Sequence, residues 1–194
     1  ARALEEAVFK GSEVPSGEKL NELCSSLNKP EMRESGVQIF NLFQQLFPLD
    51  HEVCKYYGKI LEADGKIEEA FKAYDLMLMS AFDERRAIAD IRIVAISALI
   101  NECHEYALKV FSKLDEMVEL QEEIDRLKKS GKRYGLNDLH KLYIQVKAEL
   151  SALISLYGKV TEAQNGEDQI LKQSFKSICA KAKGYDCLGI ADEL

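Results

Sequence analysis

The stretch "KYYGKILEADGKIEEAFKAYDLML", residues 55–78, decides how the chain is read. Its apolar residues recur at helical spacing, yet Gly58 and Gly65 stand inside it. Glycine in a helix interior costs about 0.5–1 kcal/mol against alanine. Read as one helix, the stretch is marginal. Read as two, it is well built: Gly65 makes the turn between the helices, and Gly58 lets their backbones approach closely.

The second reading gains support from register. Shifted back by 34 residues, Tyr74 falls on Phe40, Met77 on Phe43, Ala70 on Gly36, Leu61 on Leu27, Tyr57 on Leu23 and Gly58 on Cys24. Shifted forward by 37, Ala70 falls on Ala107, Tyr74 on Phe111, Met77 on Leu114, Tyr57 on Val94 and Gly58 on Ala95. Large apolar residues meet large apolar ones, and small meet small. The forward shift is constant across both helices of the unit. The three extra residues therefore lie between units, near "SAFDERRA" at 80–87. A two-helix unit repeated at this period cannot bury its own apolar face, and about three stacked units are needed for stability.

The period and pattern resemble the tetratricopeptide repeat family. Gly58 stands at the family's small residue on the first helix, Gly65 at its turn, and Ala70 at its second-helix alanine, with Tyr74 one turn on. The first unit keeps Phe40 and the closing Pro48, but has Cys24 at the small site and Pro30 in its turn region. The third has Ala95 at the small site and Glu102 at the turn, and is the weakest match. The expected fold is all-α: an α-solenoid of about three tetratricopeptide-type helix pairs followed by a C-terminal long-helix hairpin. Residues 1–16 would form an N-terminal cap or a truncated repeat helix. The repeats would occupy about 17–50, 51–84 and 88–121, with the last helix extended to 130. Residues 131–194 would form a C-terminal helical region and tail.

The resemblance implies a protein or peptide partner held on a concave face made by the first helix of each unit. In register, that face receives Asn21, Ser25, Lys55, Tyr56, Lys59, Arg92, Ile93 and Ile96. It would suit an extended peptide with apolar anchors, unless the C-terminal helices cover its isoleucines. The carboxylate clamp of some tetratricopeptide cochaperones does not carry over: the matching positions hold Asn21, Ser25, Tyr56, Ala89 and Ile93. The junction "IFNLFQQLFPLD" to "HEVCKYYGKILEADGKIEEAFKAYDLML" is also similar to that of type III secretion translocator chaperones. The C-terminal region is longer than that family's usual tail.

Beyond the repeats, Leu136, Leu139, Tyr143, Val146, Leu150, Leu153, Tyr157 and Val160 alternate spacings of three and four. Such a heptad seam packs a helix along another helix. Ile144, Ile154 and Leu156 add apolar surface off the seam, which predicts packing on several neighbours of the same chain. A homodimer through the seam is the alternative.

Composition favours an all-α fold, and the absence of catalytic motifs points to a non-enzymatic role. The 194 residues include three prolines and no Trp, and carry a formal net charge of −7. Duplex-binding proteins usually show a basic face, so this acidic balance argues against nucleic acid as the main partner. Five widely spaced cysteines without a CxxC fit a reducing, cytoplasmic compartment. No apolar run approaches the roughly 18 residues of a membrane span. His51, His104 and His140 are scattered, without a second metal-ligand pair beside Cys103–His104. No phosphate loop, GxSxG or HExxH occurs. The basic cluster Lys128, Lys129, Lys132 and Arg133 follows a helix C-terminus, where cations meet the dipole favourably. No catalytic residue, metal or cofactor is therefore expected. The leading function is a tetratricopeptide-type protein- or peptide-binding module, acting as a chaperone or adaptor. The alternatives are a docking or regulatory domain of a larger enzyme, such as a transferase, and a scaffold that self-assembles through residues 136–160.

Overall fold

The computed structural model describes residues 14–81, 83–127, 136–162 and 168–184. These residues are all-α, with no strand among them. The helices are α1 (Gly17–Leu27), α2 (Arg33–Leu46), α3 (His51–Ala63), α4 (Ile67–Met79), α5 (Glu84–Ile100), α6 (His104–Leu127), α7 (Leu136–Glu162) and α8 (Asp168–Gly184). A 3-10 turn, Pro30–Met32, precedes α2. The chain divides into two compact units, Ala1–Ala81 and Phe82–Leu194. Residues 1–13, the basic cluster at 128–133 and the tail from 185 lie outside the described residues.

In the first unit, α1 and α3 start on matched caps. The Ser16 side chain accepts from the Lys19 amide at 3.5 Å, and the Asp50 carboxylate accepts from the Val53 amide at 2.9 Å. The two caps are 34 residues apart, the shift that relates the first two pairs. Each satisfies one amide that the first helical turn leaves without a partner. α3 and α4 then pack against each other. A methyl on Gly58 would lie 2.4 Å from Tyr74 Cε1 and 2.6 Å from Cδ1, so the ring occupies the space that glycine vacates. The Tyr74 hydroxyl donates to Glu62 Oε2 at 2.8 Å, which ties the buried ring back to α3.

Gly65 has φ +80°. Its amide donates to Glu62 O at 3.1 Å, and the Lys66 amide donates to Leu61 O at 2.9 Å. This pair of bonds is the Schellman termination, which needs a left-handed residue after the helix. No atom lies within 4 Å of a Cβ built there, so conformation rather than space selects glycine. The first pair is joined differently. Asn28 closes α1 on Cys24 O at 2.9 Å, and Pro30 opens the 3-10 turn. The core of this unit holds Leu20, Cys24, Leu27, Phe40, Phe43, Val53, Tyr56 and Ile60. Full burial of each large aliphatic or aromatic side chain is worth roughly 1.5–3 kcal/mol. Tyr57 packs back onto this cluster, its hydroxyl 3.4 Å from Asn41 Oδ1 of α2.

In the second unit, α5 is the central element and packs on α6, α7 and α8. Ile88, Ala89, Ile91, Val94, Ala95, Ile96, Ala98 and Leu99 are all buried, so apolar residues surround the helix instead of forming one stripe. The turn into α6 repeats the Gly65 turn 37 residues later. Glu102 has φ +61°, its amide donates to Leu99 O at 3.2 Å, and the Cys103 amide donates to Ala98 O at 2.8 Å. The pair that matches the family pattern least well thus has the same backbone turn. A non-glycine residue in this conformation costs roughly 1–2 kcal/mol. The additional residues between pairs lengthen α5, which has 17 residues against 13 in α3. Its Asp83 cap accepts from the Arg86 amide at 2.8 Å.

The heptad seam is used inside this unit. Val146, Leu150, Leu153 and Val160 are buried, while Leu139, Tyr143 and Tyr157 are half-buried, and α7 packs on α5, α6 and α8. Ile154 and Leu156 are half-buried, as packing on several neighbours requires. Ile144 remains 52% exposed, so that part of the off-seam apolar surface is not covered by the described residues. The Leu136 side chain lies outside the described residues.

Candidate functional site

The residues expected to line one groove belong to separate units. Asn21, Ser25, Lys55, Tyr56 and Lys59 lie in the first; Arg92, Ile93 and Ile96 lie in the second.

In the first unit, α1 and α3 are neighbours. Asn21 and Ser25 are exposed, and the Ser25 hydroxyl donates to Asn21 O at 2.8 Å. Lys55 and Lys59 are half-buried, their Nζ atoms 5.5 and 5.1 Å from the Tyr56 ring centroid. Both ammonium groups are thus within cation–π range of one ring. Lys55 also lies 3.7 Å from Glu52 Oε2, and Glu52 Oε1 lies 3.3 Å from His51 Nδ1. Tyr56 itself is 6% exposed and belongs to the core cluster. Burial, followed by the neighbouring Cys24, pushes its phenol pKa up. Burial also raises the Cys24 thiol, while Lys59 pulls it down. Tyr56 therefore fixes the two lysines in place and has almost no surface of its own to present.

In the second unit, the positions equivalent to Lys55, Tyr56 and Lys59 are Arg92, Ile93 and Ile96. Arg92 is 2% exposed, Ile96 is fully buried, and Ile93 is half-buried. Arg92 Nε and Nη2 meet Glu149 Oε2 and Oε1 of α7 at 2.5 and 2.7 Å. Nη2 also donates to the Ala182 carbonyl of α8 at 2.7 Å. This two-point carboxylate geometry suits guanidinium and would not suit ammonium. The α5 face expected to bind a peptide is thus occupied by the chain's own C-terminal helices. Sequence reasoning missed Glu149 and Ala182, which stand 57 and 90 residues from Arg92.

A second polar group joins α6 to α7. Asp115 Oδ1 accepts from Lys147 Nζ at 2.5 Å and from the Tyr143 hydroxyl at 2.7 Å. The Lys147 hydrogen bond chiefly holds the Asp115 carboxyl below the ordinary carboxylate range. His104 stacks on Tyr157 with centroids 5.0 Å apart, and Tyr157 contacts Phe175 at 5.5 Å. Among the described residues, no group of three His, Cys, Asp or Glu side chains is placed to hold a metal, and no helix is long and apolar enough to cross a membrane. Comparison of the chain with known protein families, curated proteins and solved structures gives no match.

Proposed function

We propose that the chain is a non-enzymatic, tetratricopeptide-type helical-repeat module that binds a protein or peptide, as a cytoplasmic chaperone or adaptor. The repetition of one helix-ending turn at Gly65 and at Glu102, at the shift read from side chains, carries the repeat reading. The interlock of Gly58 with Tyr74 supports it. The contact surface assigned to the first unit is Asn21 and Ser25 on α1 with Lys55 and Lys59 on α3. Its paired ammonium groups favour a peptide that carries a carboxylate.

The test is fluorescence anisotropy against an array of labelled acidic peptides. Binding is expected, with at least tenfold loss in a Lys55→Glu plus Lys59→Glu variant that keeps its helical circular dichroism. Lys72→Glu, at an exposed position of α4, should leave binding unchanged apart from general charge effects. Equal loss from Lys72→Glu would show that only net charge is being read and would remove the assigned surface.

A further inference from the structure

Within the second unit, α8 packs on α5 and α7 through few of its described side chains. Of its described side chains, Phe175 and Cys179 are buried, Ala182 and Lys183 are half-buried, and residues 172–174, 176–178 and 180–181 are exposed. Phe175, Cys179 and Ala182 form one narrow stripe at spacings of four and three. Its polar attachments include the following contacts. Lys176 Nζ meets Glu102 Oε1 at 2.7 Å, and near the C-terminal end Arg92 donates to Ala182 O while Lys183 Nζ lies 3.4 Å from Ser97 Oγ.

The Arg92 contact is with backbone. Ala182 is among the last residues of α8, whose carbonyls lack partners within the helix and carry the negative end of its dipole. Arg92 therefore grips a helix end, a feature that any helix presents, and the carboxylate that matches its charge, Glu149, belongs to α7 and not to α8. We infer that α8 is a displaceable internal ligand, and that the α5 face beneath it is a receptor for an amphipathic helix from a partner protein. That helix has an aromatic residue followed at four and seven positions by small ones, and ends two residues later. This inference rests on the reading of the chain as a binding module; it adds a helical ligand and a closed state. Segments with few buried side chains open without global unfolding. Burial pushes the Cys179 thiol pKa up to about 11 and suppresses the reactive thiolate, so its alkylation can be used to read opening of α8.

Hydrogen–deuterium exchange on the full chain tests displacement. Amides of 175–183 should exchange at least tenfold faster than those of 94–99 in α5, and Cys179 should alkylate on the same timescale as its helix opens. Equal rates in the two helices would show that α8 is an integral part of the core and overturn the inference. Receptor character is tested with a labelled peptide of residues 168–184 added to the full chain bearing Phe175→Ala. Saturable binding is expected, weakened at least tenfold when the peptide itself carries Phe175→Ala; no saturation overturns the receptor. Acidic-peptide binding at Lys55 and Lys59, read on the same preparation, is separate. Its loss would remove the proposed function while a displaceable α8 stood, and an undisplaceable α8 would leave that surface untouched.

Discussion

α3 and α5 occupy equivalent places in their helix pairs, and they use a shared pattern to opposite ends. Both carry a basic residue at the same register, Lys55 and Arg92. Lys55 is half-buried and meets Glu52 on its own helix at 3.7 Å. At the position equivalent to Glu52, α5 has Ala89, and Arg92 finds its carboxylate on α7 instead. Lys59 is matched by Ile96, which is fully buried. Replacing one lysine by isoleucine and one local partner by alanine turns a polar helix face into one that the chain covers itself. A repeat pattern thus specifies how two helices of a pair interlock, but a few face residues decide whether their outer side meets water or protein.

The largest expected effect separates the two basic residues. Arg92→Ala leaves Glu149 without its partner in a mostly buried setting and should cost about 3 kcal/mol in urea unfolding. Lys55→Ala breaks a partly exposed pair and should cost less than about 1 kcal/mol. Similar costs would end the distinction between the faces. Next comes the small-residue site. Gly58→Ala forces a methyl against the Tyr74 ring and should cost about 1–3 kcal/mol, with much of it recovered in a Gly58→Ala, Tyr74→Leu double variant. Ala95→Gly, at the matching site, should cost only about 1 kcal/mol through helix propensity.

The two turns give a smaller, opposite-signed pair. Gly65→Ala should destabilise by about 1 kcal/mol, whereas Glu102→Gly should stabilise by up to about 1 kcal/mol once the exposed Lys176 pair is removed by Lys176→Ala. Matching signs in thermal melts would show that the turns differ. The smallest effect is in acid. Asp115 and Glu102 are both held below their ordinary ranges, chiefly by hydrogen bonds from Lys147 and Lys176. A depressed carboxyl contributes stability above its unfolded pKa, near 4, and that contribution is lost as pH falls through the lower folded value. Lys147→Met with Lys176→Met should therefore flatten the stability profile of the second unit below about pH 4, leaving its slope near pH 7 unchanged.

Much of this was legible in the chain. Gly65 and Gly58 are readable because each answers a local demand, one for a left-handed residue and one for space within an adjacent helix. The all-α architecture follows from the same periodicities. Glu102 hides an identical turn, because a backbone conformation can be imposed on a residue that disfavours it. Tyr56 falls on the expected groove by repeat register; the structure buries it in the core cluster that also holds Cys24 and Leu20. The occupation of the α5 face is least legible. Spacing shows that Ile93 and Ile96 share a side of a helix, but not that a helix more than fifty residues away will cover it.

The extra turn at the start of α5 has an engineering consequence. Two pairs keep the same closing turn although their first helices differ by four residues in length. Length is absorbed at the beginning of a helix, upstream of the residues that interlock, so the downstream register is unaffected. The junction between α4 and α5 is therefore a natural place to lengthen the chain by whole helical turns. A tag or reporter joined through such an insertion, next to Asp83, should leave the Glu102 turn in place.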